Sequence, residues 1–236
     1  VVAGYFFNIF PKKHLTNMQF RAAILLSALS KMALVVRSVS RHIKLQGVFH
    51  MSAENIKHAL LDSIQSLTNC KRLFSRNPQK DNTRNRKIPF DKTVSAILSF
   101  RGGTLNSDLL DFFGLDPSVP SSSAFIQQRA KIIPEAFEEL FRHFTHRVCG
   151  EKLYKGYSLL AVDGSELETA ANPSDPESFI SRKDGKKSYN LLHINAMYDL
   201  LQYLYLDAIL QKCRNTDECG ALTAMVDRSA IPKALV

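Results

Sequence analysis

An apolar run, Tyr157-Ser-Leu-Leu-Ala-Val162, stops abruptly at Asp163-Gly164-Ser165. A run of that length and composition reads as a strand, so the pattern delivers a carboxylate to an exposed turn at the strand tip. A strand end is a rigid mount. A carboxylate followed by Gly and a small hydroxyl residue suits a hard metal ion held beside a phosphate. An Asp that merely begins a turn has the same local sequence, so both readings stand on these residues alone. Glu166 and Glu168 lie nearby, but strand tips usually contribute one ligand each, which makes them secondary. His143 and His146 are three apart with no carboxylate or Cys in register and read as a solvated helix face. Cys70, Cys149, Cys213 and Cys219 form no C-x-x-C pair and read as reduced thiols.

The elements that must position Asp163 follow from periodicity. Tyr157 to Val162, Tyr189 to Tyr198 and Tyr203 to Leu210 are rich in aromatic and aliphatic residues and read as strands. Asp199-Leu-Leu-Gln is short enough to join the last two as a hairpin. Thr216 is placed to cap a following helix, with Asp217 and Glu218 in its first turn and Cys219, Leu222, Met225 and Val226 as its buried stripe. Pro232 to Val236 reads as the opening of another strand. A strand ending in Asp, a hairpin, then a helix returning to a new strand is the element order of a ribonuclease-H-like core, in which the first and fourth strands lie side by side.

Upstream the pattern is helical. Ile56, Leu60, Ile64 and Leu67 recur at helical spacing after Met51. The tract from Lys71 to Lys87 is polar and basic and reads as a flexible linker, open either to a phosphate backbone or to water alone. Three short helices follow. The first carries Val94, Ile97 and Leu98; the second carries Leu109, Leu110, Phe112 and Phe113 and is closed by Gly114; the third spans Ala124 to Lys131 behind the serines at 121–123. This order fits a helix-turn-helix module, with Gln127, Gln128, Arg129 and Lys131 as polar groups suited to a major groove, and it also fits a plain helical subdomain. A longer amphipathic helix runs from Pro134 to about Val148. Between the first two strands, Arg182, Lys183, Lys186 and Lys187 surround an Asp184-Gly185 turn; they either neutralise DNA phosphates or form a solvated turn.

The formal charge of +9 on 236 residues points toward an acidic partner. Residues 1–50 contain no Asp or Glu and contribute +7 through Lys12, Lys13, Arg21, Lys31, Arg37, Arg41 and Lys44, leaving +2 for the remainder. Lys31 interrupts the apolar run Ala22–Leu29 before it reaches the roughly 18–20 residues that span a bilayer, so no membrane is expected. Residues 1–50 read as upstream sequence translated in frame, with a targeting segment or a genuine extra helix as alternatives. The expected organisation is therefore 1–50 basic and acid-free, 51–87 helix plus linker, 88–150 helical and DNA-binding-like, and 151–236 catalytic-like.

Four stretches together resemble the insertion-sequence-four-like group of bacterial DDE transposases. They are Lys87-Ile-Pro-Phe-Asp-Lys-Thr-Val-Ser-Ala-Ile-Leu98, Ser121 to Lys131, Leu160-Ala-Val-Asp-Gly-Ser165 and Thr216 to Ser229. The resemblance covers about residues 51–236. It implies an α+β chain, with a helix-turn-helix-like region before an incomplete ribonuclease-H-like mixed sheet. It also implies an insertion-sequence transposase in the bacterial cytoplasm, acting on transposon ends and target DNA, and a homodimer when full length. Asp163 becomes the first catalytic and metal-binding acid, with Mg²⁺ or Mn²⁺ as cofactor. Family members carry a second Asp after the fourth strand, in an Asp-Arg-Gly-Tyr-like context, and a Glu much further on. Asp227-Arg228 offers a similar pair but sits at a helix end before Pro232, so it is expected to cap or salt-bridge, and the chain is expected to be catalytically incomplete. A DNA-binding remnant without catalysis and a different ribonuclease-H-like nuclease are the alternatives.

Overall fold

A computed structural model describes residues 51–84, 87–101, 103–114, 116, 119–229 and 231–236. The expectations for residues 1–50 lie outside the described residues. The chain is α+β and divides into two compact units, described here from Met51 to Phe144 and from Thr145 to Val236.

The first unit is helical. Helix α1 (Ala53–Asn69) begins where the Ser52 hydroxyl accepts from the Asn55 N–H at 3.2 Å. It buries Ile56, Ala59, Ile64 and Leu67 on one stripe. The buried Ser63 is satisfied within that stripe: its hydroxyl donates to the Ala59 carbonyl at 2.7 Å and lies 3.0 Å from His143 Nδ1. Helices α2 (Phe90–Ser99), α3 (Leu105–Phe113) and α4 (Ser122–Arg129) are the three short helices expected from the sequence. Thr104 and Ser121 cap α3 and α4, and Gly114 takes the left-handed conformation (φ 71°) that ends α3. Phe90, Val94, Leu109 and Phe125 are fully buried, and the Phe100 and Phe125 rings meet at 5.4 Å. Helix α5 (Glu135–Val148) adds Ala136, Phe137, Leu140 and Phe141 to this core; its residues from Thr145 onward count with the second unit.

The basic tract differs from the expected free linker over its described part. Arg76 N–H donates to the Lys131 carbonyl at 2.7 Å, and Ile133 N–H donates to the Phe74 carbonyl at 3.0 Å. Asn82, at a left-handed φ of 55°, donates to Ser75 Oγ at 2.8 Å and accepts from Gln128 Nε2 at 2.7 Å. Polar residues thus fix this segment without contributing apolar area, which is why its composition reads as a linker.

The second unit is a mixed five-stranded sheet carrying one helix. Its strands are β1 (Ser158–Ala170), β2 (Phe179–Ile180), β3 (Tyr189–Asp199), β4 (Leu204–Lys212) and β5 (Ala234–Leu235). A short 3₁₀ turn (Cys213–Asn215) and helix α6 (Glu218–Ser229) join β4 to β5. β1 and β3 pair antiparallel, and β2 and β4 share the far edge of β3, also antiparallel. β5 lies along the other edge of β1 and parallel to it, with Ser158 opposite Ala234 and Leu159 opposite Leu235. The β3–β4 turn is held by Asp199, whose Oδ1 accepts from the Leu201 and Gln202 N–H groups at 2.8 and 2.9 Å. Leu160, Met197 and Met225 form the core under α6, joined by Val162, Ile209 and Ile231.

Two sequence expectations need correction here. The first strand does not end at Val162: Asp163, Gly164 and Ser165 stay in the ladder opposite Ala196, Asn195 and Ile194. Asp163 is therefore at mid-strand and not at a tip. In α6 the buried residues are Ala221 and Met225, Leu222 and Val226 are half-buried, and Cys219 is exposed. No helix among the described residues is long and apolar enough to cross a membrane.

Candidate functional site

Side chains alternate between the two faces of a strand, so the direction of one residue in β1 fixes the others. A Cβ at Gly164 would meet the His193 ring and Glu218 Oε1, which places the even-numbered positions of this stretch under α6. Asp163 and Ser165, both exposed, consequently lie on the opposite face. Asp163 Oδ1 accepts from the Gly164 N–H at 2.9 Å, which orients one carboxylate oxygen. Beside it across the sheet run Ala196 and Ala208, both with small side chains. The Tyr198–Tyr205 ring pair, 4.8 Å between centroids, flanks the two alanines on one side, and Ile194 with Leu210 on the other.

The neighbouring acids do not join Asp163. Glu166 stands opposite His193 on the α6 face, and Glu168 reaches Arg182 at 4.0 Å. Asp227 is exposed on α6, while Arg228 is engaged with Asp207: Nη2 donates to Oδ1 at 2.7 Å and Nε meets Oδ2. Among the described residues no three His, Cys, Asp or Glu side chains are grouped to hold a metal ion. Mg²⁺ takes about six oxygens, of which a lone carboxylate supplies at most about two. The donor chemistry of Asp163 suits such an ion, but the described set is incomplete for it.

The residues assigned to DNA contact are divided by the fold. Gln127 is exposed, but Gln128 is only 6% exposed and is committed to Asn82, while its Oε1 accepts from Lys131 Nζ at 2.9 Å. Burial lowers the Arg129 guanidinium to about 10. Helix α4 therefore turns much of its polar chemistry inward. The β2–β3 connection is different: Lys183, Lys186 and Lys187 are exposed, and Lys186 lies 3.6 Å from Asp184. Arg182 stacks over the Tyr189 ring at 4.7 Å, and its hydrogen bond with Tyr189 raises its pKa further.

A second constellation escaped the sequence reading. His193 Nε2 lies 3.0 Å from Glu218 Oε1, with the ring seated on Gly164. Its Nε2 has ion-pair proximity without hydrogen-bond alignment. Asn195 Nδ2 donates to Gln211 Oε1 at 3.1 Å, and Gln211 clasps both the N–H and the carbonyl of Asp217 at 2.9 Å. Asp217 Oδ1 in turn accepts from the Gly220 N–H at 2.8 Å, so Asp217 caps α6, the role expected of Thr216. Replacing Asp217 by Ala is expected to cost about 1 kcal/mol, read in urea unfolding. An unchanged midpoint would show that Gln211 alone secures the helix start. The only sequence signal for this cluster was the glycine inside β1, which marks close approach of another group.

Comparison with protein-family models, curated proteins and solved structures finds no match.

Proposed function

We propose that this chain is a DNA transposase of the DDE type, of the insertion-sequence-four-like group, with Asp163 as its first catalytic acid. The observation that carries this reading is the sheet order β4-β3-β1-β5, with β5 parallel to β1 and α6 between β4 and β5. That is the order of a ribonuclease-H-like core, and it puts an exposed carboxylate on a central strand with the parallel strand beside it. Asp163 would be one ligand of the Mg²⁺ or Mn²⁺ ions such a core uses, which would supply Lewis-acid chemistry for phosphoryl transfer. Within this chain, Asp163 supplies one oriented oxygen donor, and Lys183, Lys186 and Lys187 supply exposed positive charge for a phosphate backbone. Helices α2 to α4 are the helix-turn-helix candidate, with Gln127 its exposed amide. The partners are transposon ends and target DNA, the compartment the bacterial cytoplasm, and the assembly a homodimer.

A DNA-binding protein without catalysis is the second reading, favoured by the lack of a grouped acid set among the described residues. Nicking of supercoiled plasmid with and without Mg²⁺ separates the two. Mg²⁺-dependent nicking that Asp163→Ala reduces to background, with the unfolding midpoint unchanged because the side chain is exposed, would make Asp163 a catalytic acid, of a transposase or of another ribonuclease-H-like nuclease, and would overturn the expectation of a catalytically incomplete chain. Nicking that survives Asp163→Ala sinks the assignment. Binding without nicking, weakened strongly between 50 and 200 mM salt, selects the second reading.

A further inference from the structure

The entry to β1 and the β3–β4 turn gather exposed tyrosines at one end of the second unit. Tyr154 and Tyr157 exchange backbone hydrogen bonds of 2.8 and 3.0 Å, folding Lys155 (φ 50°) and Gly156 (φ 85°) into a tight turn. The β3–β4 turn is tied to the same end, because Leu200 N–H donates to the Leu159 carbonyl at 2.9 Å and Gly150 N–H donates to Gln202 Oε1. Leu153, Tyr154, Tyr157, Leu200 and Tyr203 are each at least 40% exposed there. Single exposed apolar side chains are ordinary, but such a grouping marks a contact surface. Tyr203 also holds a left-handed φ of 57°, a conformation costly for a bulky residue.

Charge identifies the partner. Lys155 Nζ lies 5.4 Å from the Tyr154 ring centroid, and Lys152 precedes it in the same segment. Lys233 joins them through its carbonyl, which accepts from the Ser158 N–H at 2.9 Å. Glu151 is the one acid between residues 150 and 157, and the Asp199 carboxylate is spent on its own turn. A second copy docked face to face would oppose lysine to lysine.

We propose that this tyrosine and lysine surface binds single-stranded nucleic acid, with the rings stacking on unpaired bases and the lysines meeting phosphates. Every base has a π-face, so the contact tolerates sequence, whereas a duplex hides those faces. Asp163 lies further along β1, five residues past Ser158 at about 3.3 Å each, so this surface holds a strand at a distance from that carboxylate and stands without the transposase reading.

The test is fluorescence anisotropy with a labelled oligothymidylate of about twenty nucleotides. The full chain is used with Lys183, Lys186 and Lys187 changed to Ala, so that the basic connection does not mask the surface. Tyr154→Ala and Tyr157→Ala are each expected to weaken binding about tenfold, whereas Tyr154→Phe and Tyr157→Phe retain it, and a duplex of equal length responds to none of them. Both tyrosines are exposed, so the Ala variants should fold, and circular dichroism checks this. Equal affinity of the Ala variants overturns the proposal, as does absence of binding. Tyrosine-dependent self-association in sedimentation, without oligonucleotide binding, also overturns it and assigns the surface to a second copy.

Discussion

Replacing Asn190 by Ala is expected to destabilise the second unit by about 3 kcal/mol, measured by urea unfolding, with rapid hydrogen exchange confined to residues 172–178 in the native state. Asn190 is fully buried in β3, where its Oδ1 accepts from the Asn172 N–H at 2.6 Å. Its Nδ2 donates to Ser178 Oγ at 2.8 Å and lies 3.3 and 3.4 Å from the Asn172 and Asp175 carbonyls. One amide thus satisfies the turn of chain that covers this end of the sheet. Removing it deletes the acceptor of the Asn172 N–H and the donor to Ser178 Oγ and leaves a cavity beneath the segment, which together account for the loss, while the Asn172 and Asp175 carbonyls keep their backbone donors Asp175, Ser178 and Phe179. The network continues outward: Ser178 Oγ donates to Asp175 Oδ2, and Lys212 Nζ reaches Asp175 at 2.8 Å and Glu177 at 2.6 Å. Hydrogen bonds with those two carboxylates raise the Lys212 pKa. A loss below about 1 kcal/mol would mean that the covering segment is held mainly by its flanking strands.

Gly164→Ala is expected to cost about 2 kcal/mol, because the added methyl occupies space already filled by His193. Its Cβ would stand 2.7 Å from His193 Cε1 and 2.8 Å from Glu218 Oε1. Glu218 is exposed and moves away at little cost; the His193 side chain, 14% exposed between β1 and α6, does not. A double-mutant cycle with His193→Ala isolates the cause, since removing the ring should recover most of the loss. Purely additive effects would instead place the cost in the glycine's backbone.

The sequence showed where helices and strands fall because their periodicity is local. Ile56, Ile64 and Leu67 bury as their spacing requires, and Ser121 caps as its position implies. Gln128 was misleading for a physical reason. Its chemistry suits a groove, but its partner Asn82 is 46 residues away, and no local pattern encodes that meeting. Asp163-Gly164 misled in the same way. Asp-Gly is a turn signal when nothing opposes it, yet β3 pairs through it without a break.

The sequence by itself determined the α+β class, the order of the main elements, the helix boundaries at Gly114 and Ser121 and the presence of an exposed acid near Val162, all of which follow from spacing and side-chain chemistry within a few residues. Tertiary structure alone decided that Asp163 sits at mid-strand on the face away from α6, that Glu166 turns to His193, and that Gln128 points inward. Each depends on strand register and long-range packing, where a shift of one residue sends a side chain to the other face.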